Sequence, residues 1–320
     1  MKIKGYIRPL LDENISSWLV RCAESKFCSK IKWSDISGIF HSQEVSLDSV
    51  LLVVSDIVCR NSQSSLLDLV QFAILDHHSS VDSVFSWRYF CPECVLADDK
   101  AGRGIAWRKH WNRIYSACCF QHKRPLLTVS GQDFLATRWQ ALVVSSAGGF
   151  PGARTVREQI RNRLGVKVQR SMLSMESGEG LASRAGFFRM LYIYSWFLRV
   201  KSTSAEGVAR SALIKDSYVS LGEDRSCLNA MLMGVRNSSP LQRLAALLIV
   251  GVVFDFFSSK EVEWLKVDMR RRGVVWPQIL EPYDEDNSFE AVIARSLYRK
   301  EVDEKNDLAA KEFYSLLWQK

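Results

Sequence analysis

Cys91-Pro92-Glu93-Cys94 and Cys119-Phe120-Gln121-His122 place three thiols and an imidazole in two tight pairs, each with a two-residue spacer. A Cys-x-x-Cys turn lets two thiolates converge on one ion, and a Cys-x-x-His knuckle of the same span completes a tetrahedral shell. The predicted cofactor is therefore Zn2+, held by Cys91, Cys94, Cys119 and His122. With all four positions filled by protein, such a site acts as a folding staple; a catalytic zinc keeps one position open for water or substrate. Buried or redox-active cysteines are the competing reading. Cys118 and His110 lie close enough in the sequence to replace a ligand, but Cys119 alone forms a two-residue spacer with His122.

The remaining chemistry-bearing residues show no reaction pattern. The sequence has no Gly-rich phosphate loop ending in Lys-Ser or Lys-Thr, no His-Glu-x-x-His helix and no Gly-x-Ser-x-Gly elbow. Asp76, Asp98, Asp255 and Asp268 could converge as a metal-dependent nuclease centre, although nothing in their spacing selects them. His77-His78 reads as a polar helix end, and Cys22, Cys28, Cys59 and Cys227 as isolated thiols. A binding or adaptor protein is expected, and an enzyme is not.

These residues sit in 320 residues with 47% hydrophobic content, enough for a sizeable core and, by length, two domains. Eight cysteines without an N-terminal secretory pattern predict a reducing, cytoplasmic compartment. The longest apolar run, Leu244 to Phe254, is too short to cross a bilayer, so no membrane partner is expected. A net charge of +8 favours a polyanion such as DNA or RNA, or an acidic protein surface. From Arg88 to Arg124, eight cations face only Glu93, Asp98 and Asp99. Arg103, Arg108, Lys109, Arg113, Lys123 and Arg124 are thus candidate nucleic-acid or partner contacts, joined further on by Arg270, Arg271 and Arg272. Trp107, Trp111 and Tyr115 interleave with the first group and read as a small module's core ahead of base-stacking platforms.

The elements around these residues are read from periodicity as mainly α. Asn14 can cap a helix whose apolar face is Ile15, Trp18, Leu19 and Cys22. Further short helices begin near Ser34, at Ser46 and at Ser64 or Ser65, a run that could include a helix-turn-helix. The expected layout is an N-terminal helical, helix-turn-helix-like region over 1–84 and a Cys3His zinc-knuckle module over 85–130. A linker over 131–152, containing Gly148-Gly149-Phe150-Pro151-Gly152, leads to a C-terminal helical domain over 153–320. In that domain Val156, Ile160 and Leu164 form a stripe beside Arg157, Arg161 and Arg163, which read as a solvated face. Leu181 to Val200, Leu228 to Val235 and Leu241 to Phe257 read as buried helices, and Asp303 to Gln319 as a mixed-charge one.

Two ordered segments carry a family resemblance. Arg8-Pro9-Leu10-Leu11-Asp12-Glu13-Asn14-Ile15-Ser16-Ser17-Trp18-Leu19-Val20-Arg21-Cys22-Ala23 resembles the N-terminal signature of TniQ/TnsD proteins, the target-selection factors of transposons. Cys91-Pro92-Glu93-Cys94, then Arg108 and Trp111, then Cys119-x-x-His122 followed by Pro125-Leu126, resembles their second signature. The resemblance covers residues 8 to 127. It implies a zinc-stapled bacterial protein without transposase chemistry that links a recognised DNA site to an AAA+ regulator of the TnsC/TniB kind. Some relatives read double-stranded DNA at an attachment site directly. Others form homodimers and ride on a CRISPR Cascade complex, whose guide RNA supplies the sequence information. The short C-terminal half favours the RNA-guided adaptor over the direct reader. By the same resemblance Trp18 and Leu19 pack the N-terminal helix, while Arg21 faces a partner or forms a surface ion pair.

Overall fold

The computed structural model describes residues 10, 12–25, 88–129, 134–148, 155–178, 181–200, 207–213 and 227–272. The expected helices near Ser34, at Ser46, at Ser64 or Ser65 and at 303–319 lie outside these residues, as does the expected helix-turn-helix. What is described is mainly helical with one short two-stranded sheet. The chain divides into two compact units, one of Met1–His122 with Leu126–Gly152 and the other of Lys123–Pro125 with Ala153–Lys320.

In the first unit, α1 (Ile15–Glu24) starts at Asn14, whose carbonyl accepts the Trp18 N–H at 3.0 Å. It is buried on more than one face, because Ser17, Val20 and Arg21 are as enclosed as Trp18, Leu19 and Cys22. Arg21 is only 3% exposed and pairs with the buried Glu13 carboxylate, which corrects its placement at the surface. Strands β1 (Tyr89–Phe90) and β2 (Leu127–Thr128) pair antiparallel, Tyr89 with Thr128 and Phe90 with Leu127, and so close the ends of the cysteine-bearing segment. Between them run α2 (Pro92–Lys100) and a 3-10 turn over Lys109–Asn112. Trp107 and Trp111 meet edge to face at 5.6 Å in the core beneath, and Tyr115 is buried as well, so these rings build the module's interior.

Residues 134–146, expected as linker, form α3 (Phe134–Ser146), and Ala141 joins the core with Phe90, Trp107 and Leu126. The reason lies in its buried face of Thr137, Arg138, Ala141 and Ser145, which offers no large apolar side chain, while Trp139 and Val143 stand exposed. An apolar stripe is the signal that periodicity detects, and here it points outward. Arg138 docks the helix by donating to the Ile105 carbonyl at 3.0 Å and to Glu24 at 2.5 Å.

The named elements of the second unit are all helices: α4 (Val156–Ser177), α5 (Leu181–Leu198), α6 (Ala209–Ala212), α7 (Cys227–Arg236), α8 (Pro240–Val253) and α9 (Ser259–Arg270). Reciprocal capping boxes start three of these helices: Thr155 with Glu158, Ser239 with Gln242, and Ser258 with Glu261. α8 is the centre, buried continuously from Gln242 to Gly251 and packed on α4, α5 and α6. Its contact with α4 needs Gly165, where a Cβ would come within 2.2 Å of Leu244 Cδ1. α9 lies antiparallel to α4, tied by Arg161 to Asp268 at 2.8 Å and by Lys167 to Glu261 at 3.1 Å. Arg161 is thus a buried ion-pair partner, which corrects its reading as part of a solvated face.

Candidate metal centre

Local geometry explains how the four donors meet. Cys91 caps α2 in extended conformation, with φ −102° and ψ 119°, and Pro92 fills the first helical position, where its missing N–H costs no intrahelical bond. One turn in, Cys94 returns to the same side as Cys91. At the other knuckle the chain reverses through Lys123, a non-glycine residue at φ 51°, immediately after His122. Leu126 N–H then bonds back to the Ala117 carbonyl at 2.9 Å. The result is a cluster in which the ligand atoms of Cys91, Cys94, Cys119 and His122 all lie within 4.8 Å of one another.

The cluster has the dimensions of a coordination shell. With Zn–S near 2.3 Å and Zn–N near 2.05 Å, ideal tetrahedral angles put neighbouring sulfurs about 3.8 Å apart and sulfur from nitrogen about 3.6 Å. Cys94 Sγ to Cys119 Sγ is 3.7 Å, and His122 Nδ1 lies 3.4, 3.3 and 3.7 Å from the sulfurs of Cys91, Cys94 and Cys119. His122 presents Nδ1 to the sulfurs, and Glu93 lies 3.8 Å from its other nitrogen, Nε2. Soft donors at these separations could hold a metal ion.

The electrostatics fit the same role. Hydrogen bonding to Cys119 pushes the Cys91 thiol up to about 12 and raises Cys94 as well, while the same two donors lower Cys119. One thiolate is thereby favoured and the other two thiols resist ionising beside it. A divalent cation among them removes that resistance, since a coordinated thiol is deprotonated. Cys118 is fully buried and raised by desolvation, and it stands outside the cluster. His110 directs Nδ1 at Asp12 and stacks on Phe120 at 4.6 Å. The donor set is therefore drawn from Cys119 and His122, with neither neighbour included.

Around the centre, two buried carboxylates organise the unit. Glu13 accepts from Arg21, from Ser17 Oγ at 3.1 Å and from the Leu10 amide at 3.1 Å. Asp98 is fully buried and accepts from Arg108 at 2.8 Å, Arg103 at 3.2 Å and the Ala106 amide at 3.2 Å. Sequence reasoning singled out neither as a structural acid. The signal that could have found Glu13 is its place just before the helix, four residues ahead of Ser17 and eight ahead of Arg21. Asp98 and Asp268, two acids weighed for a nuclease centre, each answer to arginine and belong to different units. Asp255 is exposed in a turn at φ 55°, and Asp76 lies outside the described residues.

The candidate contact cations have unequal settings. Arg103 is half-exposed but bound to Asp98, Arg108 is largely enclosed against the same carboxylate, and Arg113 is buried near the Tyr115 hydroxyl. Lys109 and Arg124 are half-buried, and Lys123 is exposed; all three are engaged within the chain. Arg270, Arg271 and Arg272 are exposed at the end of α9. No helix among the described residues is long and apolar enough to cross a membrane. Comparison with protein-family models, curated proteins and solved structures gave no match.

Proposed function

We propose that this chain is a non-catalytic target-selection adaptor of the TniQ/TnsD kind, linking a DNA-targeting complex to an AAA+ transposition regulator. The observation that carries the reading is that the two segments bearing the resemblance are built into one unit. Glu13 bridges antiparallel to Arg108, the Asn14 amide donates to the Trp107 carbonyl at 2.8 Å, and the Lys109 amide donates to the Asp12 carbonyl at 2.8 Å. Ser17 Oγ accepts the Trp107 amide at 2.8 Å from within α1. An adaptor works by holding contact surfaces on a stiff body, and first- and second-signature residues that share backbone bonds supply one.

In this reading the ion is Zn2+, held by Cys91, Cys94, Cys119 and His122, and it supplies folding energy. A shell of four protein donors offers no position to a substrate. The targeting complex, a guide-RNA-loaded Cascade, brings the sequence information, and the chain transmits its position by protein contact. The test is co-purification of the zinc-loaded protein with an AAA+ regulator of the TnsC/TniB kind and with a guide-RNA-loaded Cascade. A stable complex with both is expected. Tight, site-dependent binding to one duplex by the protein alone, with no such complex, would instead make it a direct reader of an attachment site.

A further inference from the structure

Nucleic-acid contact would seem to belong to the basic metal module, yet seven of its eight cations are already committed, with Lys100 the exception. Arg103 and Arg108 hold Asp98, and Arg88, Lys109, Arg113, Lys123 and Arg124 are each engaged inside the chain. The opposite holds where α4 begins and α9 ends. Among the described residues, Arg157, Arg270 and Arg271 are exposed and have neither an ion pair nor a side-chain hydrogen bond.

The antiparallel pairing of α4 and α9 gathers these groups. Arg161 meets Asp268 at 2.8 Å, and Arg157 stands one turn before Arg161 on the same face. Arg272 stands one turn after Asp268 and reaches it at 4.0 Å. Asp268 is thus shared by two guanidinium groups, and among the described residues the other carboxylate at this end is Glu158, 4.0 Å from Arg161. Among the described residues this end carries five arginines and two acids. Desolvation and the neighbouring Arg161 charge both push Arg272 downward, as expected where cations are crowded beyond their counter-charge. Arg270 closes α9 and Arg271 and Arg272 follow it, all three exposed, with Arg272 turned back toward Asp268 and the Leu213 carbonyl at 3.5 Å.

We infer that this α4–α9 end face binds the phosphate backbone of duplex nucleic acid. Arginine is suited to that partner, because its planar fork binds phosphate oxygens through two parallel bonds. The exposed large apolar side chains on these helices are the valines Val156 and Val267. They are too small to anchor in a bilayer, where Trp, Phe and Leu serve, and they lack the aromatic character of protein-interface hot spots. The contact is independent of sequence, since it reads phosphate alone. It leaves target choice to the complex proposed above and rests on that reading only for the choice of a duplex as ligand.

The test uses the full zinc-loaded chain and a random-sequence duplex, with affinity measured from about 50 to 200 mM salt. Each lost phosphate contact lowers the slope of log K against log salt by about 0.9, so Arg157→Ala/Arg270→Ala/Arg271→Ala lowers it by about 2.7. Across that fourfold salt rise the wild type therefore loses about 40-fold more affinity than the triple variant. Lys100→Ala/Arg103→Ala on the metal module leaves the slope unchanged, and Arg270→Lys/Arg271→Lys retains most of it. An unchanged slope in the folded triple variant overturns the assignment of this face while leaving the adaptor reading intact. A wild type with no salt-dependent duplex binding overturns it too. Failure to form the AAA+ complex, with the slopes as expected, would sink the adaptor reading alone.

Discussion

Asp98→Ala should be among the most damaging single changes in the first unit, although the residue touches no proposed ligand atom. The carboxylate is fully buried and holds Arg108 at 2.8 Å, Arg103 at 3.2 Å and the Ala106 amide at 3.2 Å. The Arg103 side chain is 47% exposed and returns to water, so its share is small, about 0–1 kcal/mol. The Arg108 side chain is only 13% exposed, and stranding a buried cation costs about 3–5 kcal/mol. The Ala106 amide adds about 1–3 kcal/mol if water cannot reach it, a cost that overlaps the first because both depend on how far the site opens. A net loss of about 4 kcal/mol follows. In urea unfolding of the zinc-loaded protein, followed by tryptophan fluorescence, a slope of about 2 kcal/mol per molar turns this into a midpoint shift of about 2 M. Adding Arg108→Met to Asp98→Ala should recover about 1–3 kcal/mol, because the stranded charge is then gone. A shift below about 0.5 M for Asp98→Ala would refute the argument that this carboxylate organises the unit.

Three further outcomes are expected. Chelation should expose Cys22, which is fully buried in α1, to alkylation together with Cys91, Cys94 and Cys119, since α1 is bonded to the metal module; protection of Cys22 while the ligands react, read by mass spectrometry, would show that α1 stands without the metal. Asp268→Ala, which strands Arg161, should destabilise the second unit by about 3–5 kcal/mol, whereas Lys167→Ala, at a half-exposed pair, should cost about 0–1 kcal/mol in the same unfolding assay. Gly165→Ala should cost about 1–3 kcal/mol, because the new methyl meets Leu244 at 2.2 Å in the α4–α8 contact; a thermal midpoint equal to wild type would contradict that packing.

The donor set was legible because a two-residue spacer is a local geometric fact: Cys91 and Cys94 share a helix start, and Cys119 and His122 a knuckle. The buried helices of the second unit were legible for a similar reason, since the continuous apolar run in α8 allows few other readings. The end of α8 was placed too late. The run continues to Phe257, but the chain turns at Asp255 with φ 55° and Ser258 opens a new capping box. α3 escaped because its inward face is Thr137, Arg138, Ala141 and Ser145, so hydrophobicity pointed away from the core. Arg21, Asp98 and Arg161 escaped because a buried charge reads as a surface charge until its partner is known, and each partner lies 8 to 107 residues away. Pairing of that kind leaves no periodic trace.

The metal centre is tested most directly by counting zinc in the purified protein and in Cys94→Ser. One zinc per chain in the wild type is expected, with near-zero content in the variant and loss of protease resistance over residues 88–129, because metal binding there is folding energy. A Cys94→Ser protein with full zinc content and unchanged protease resistance would contradict the account.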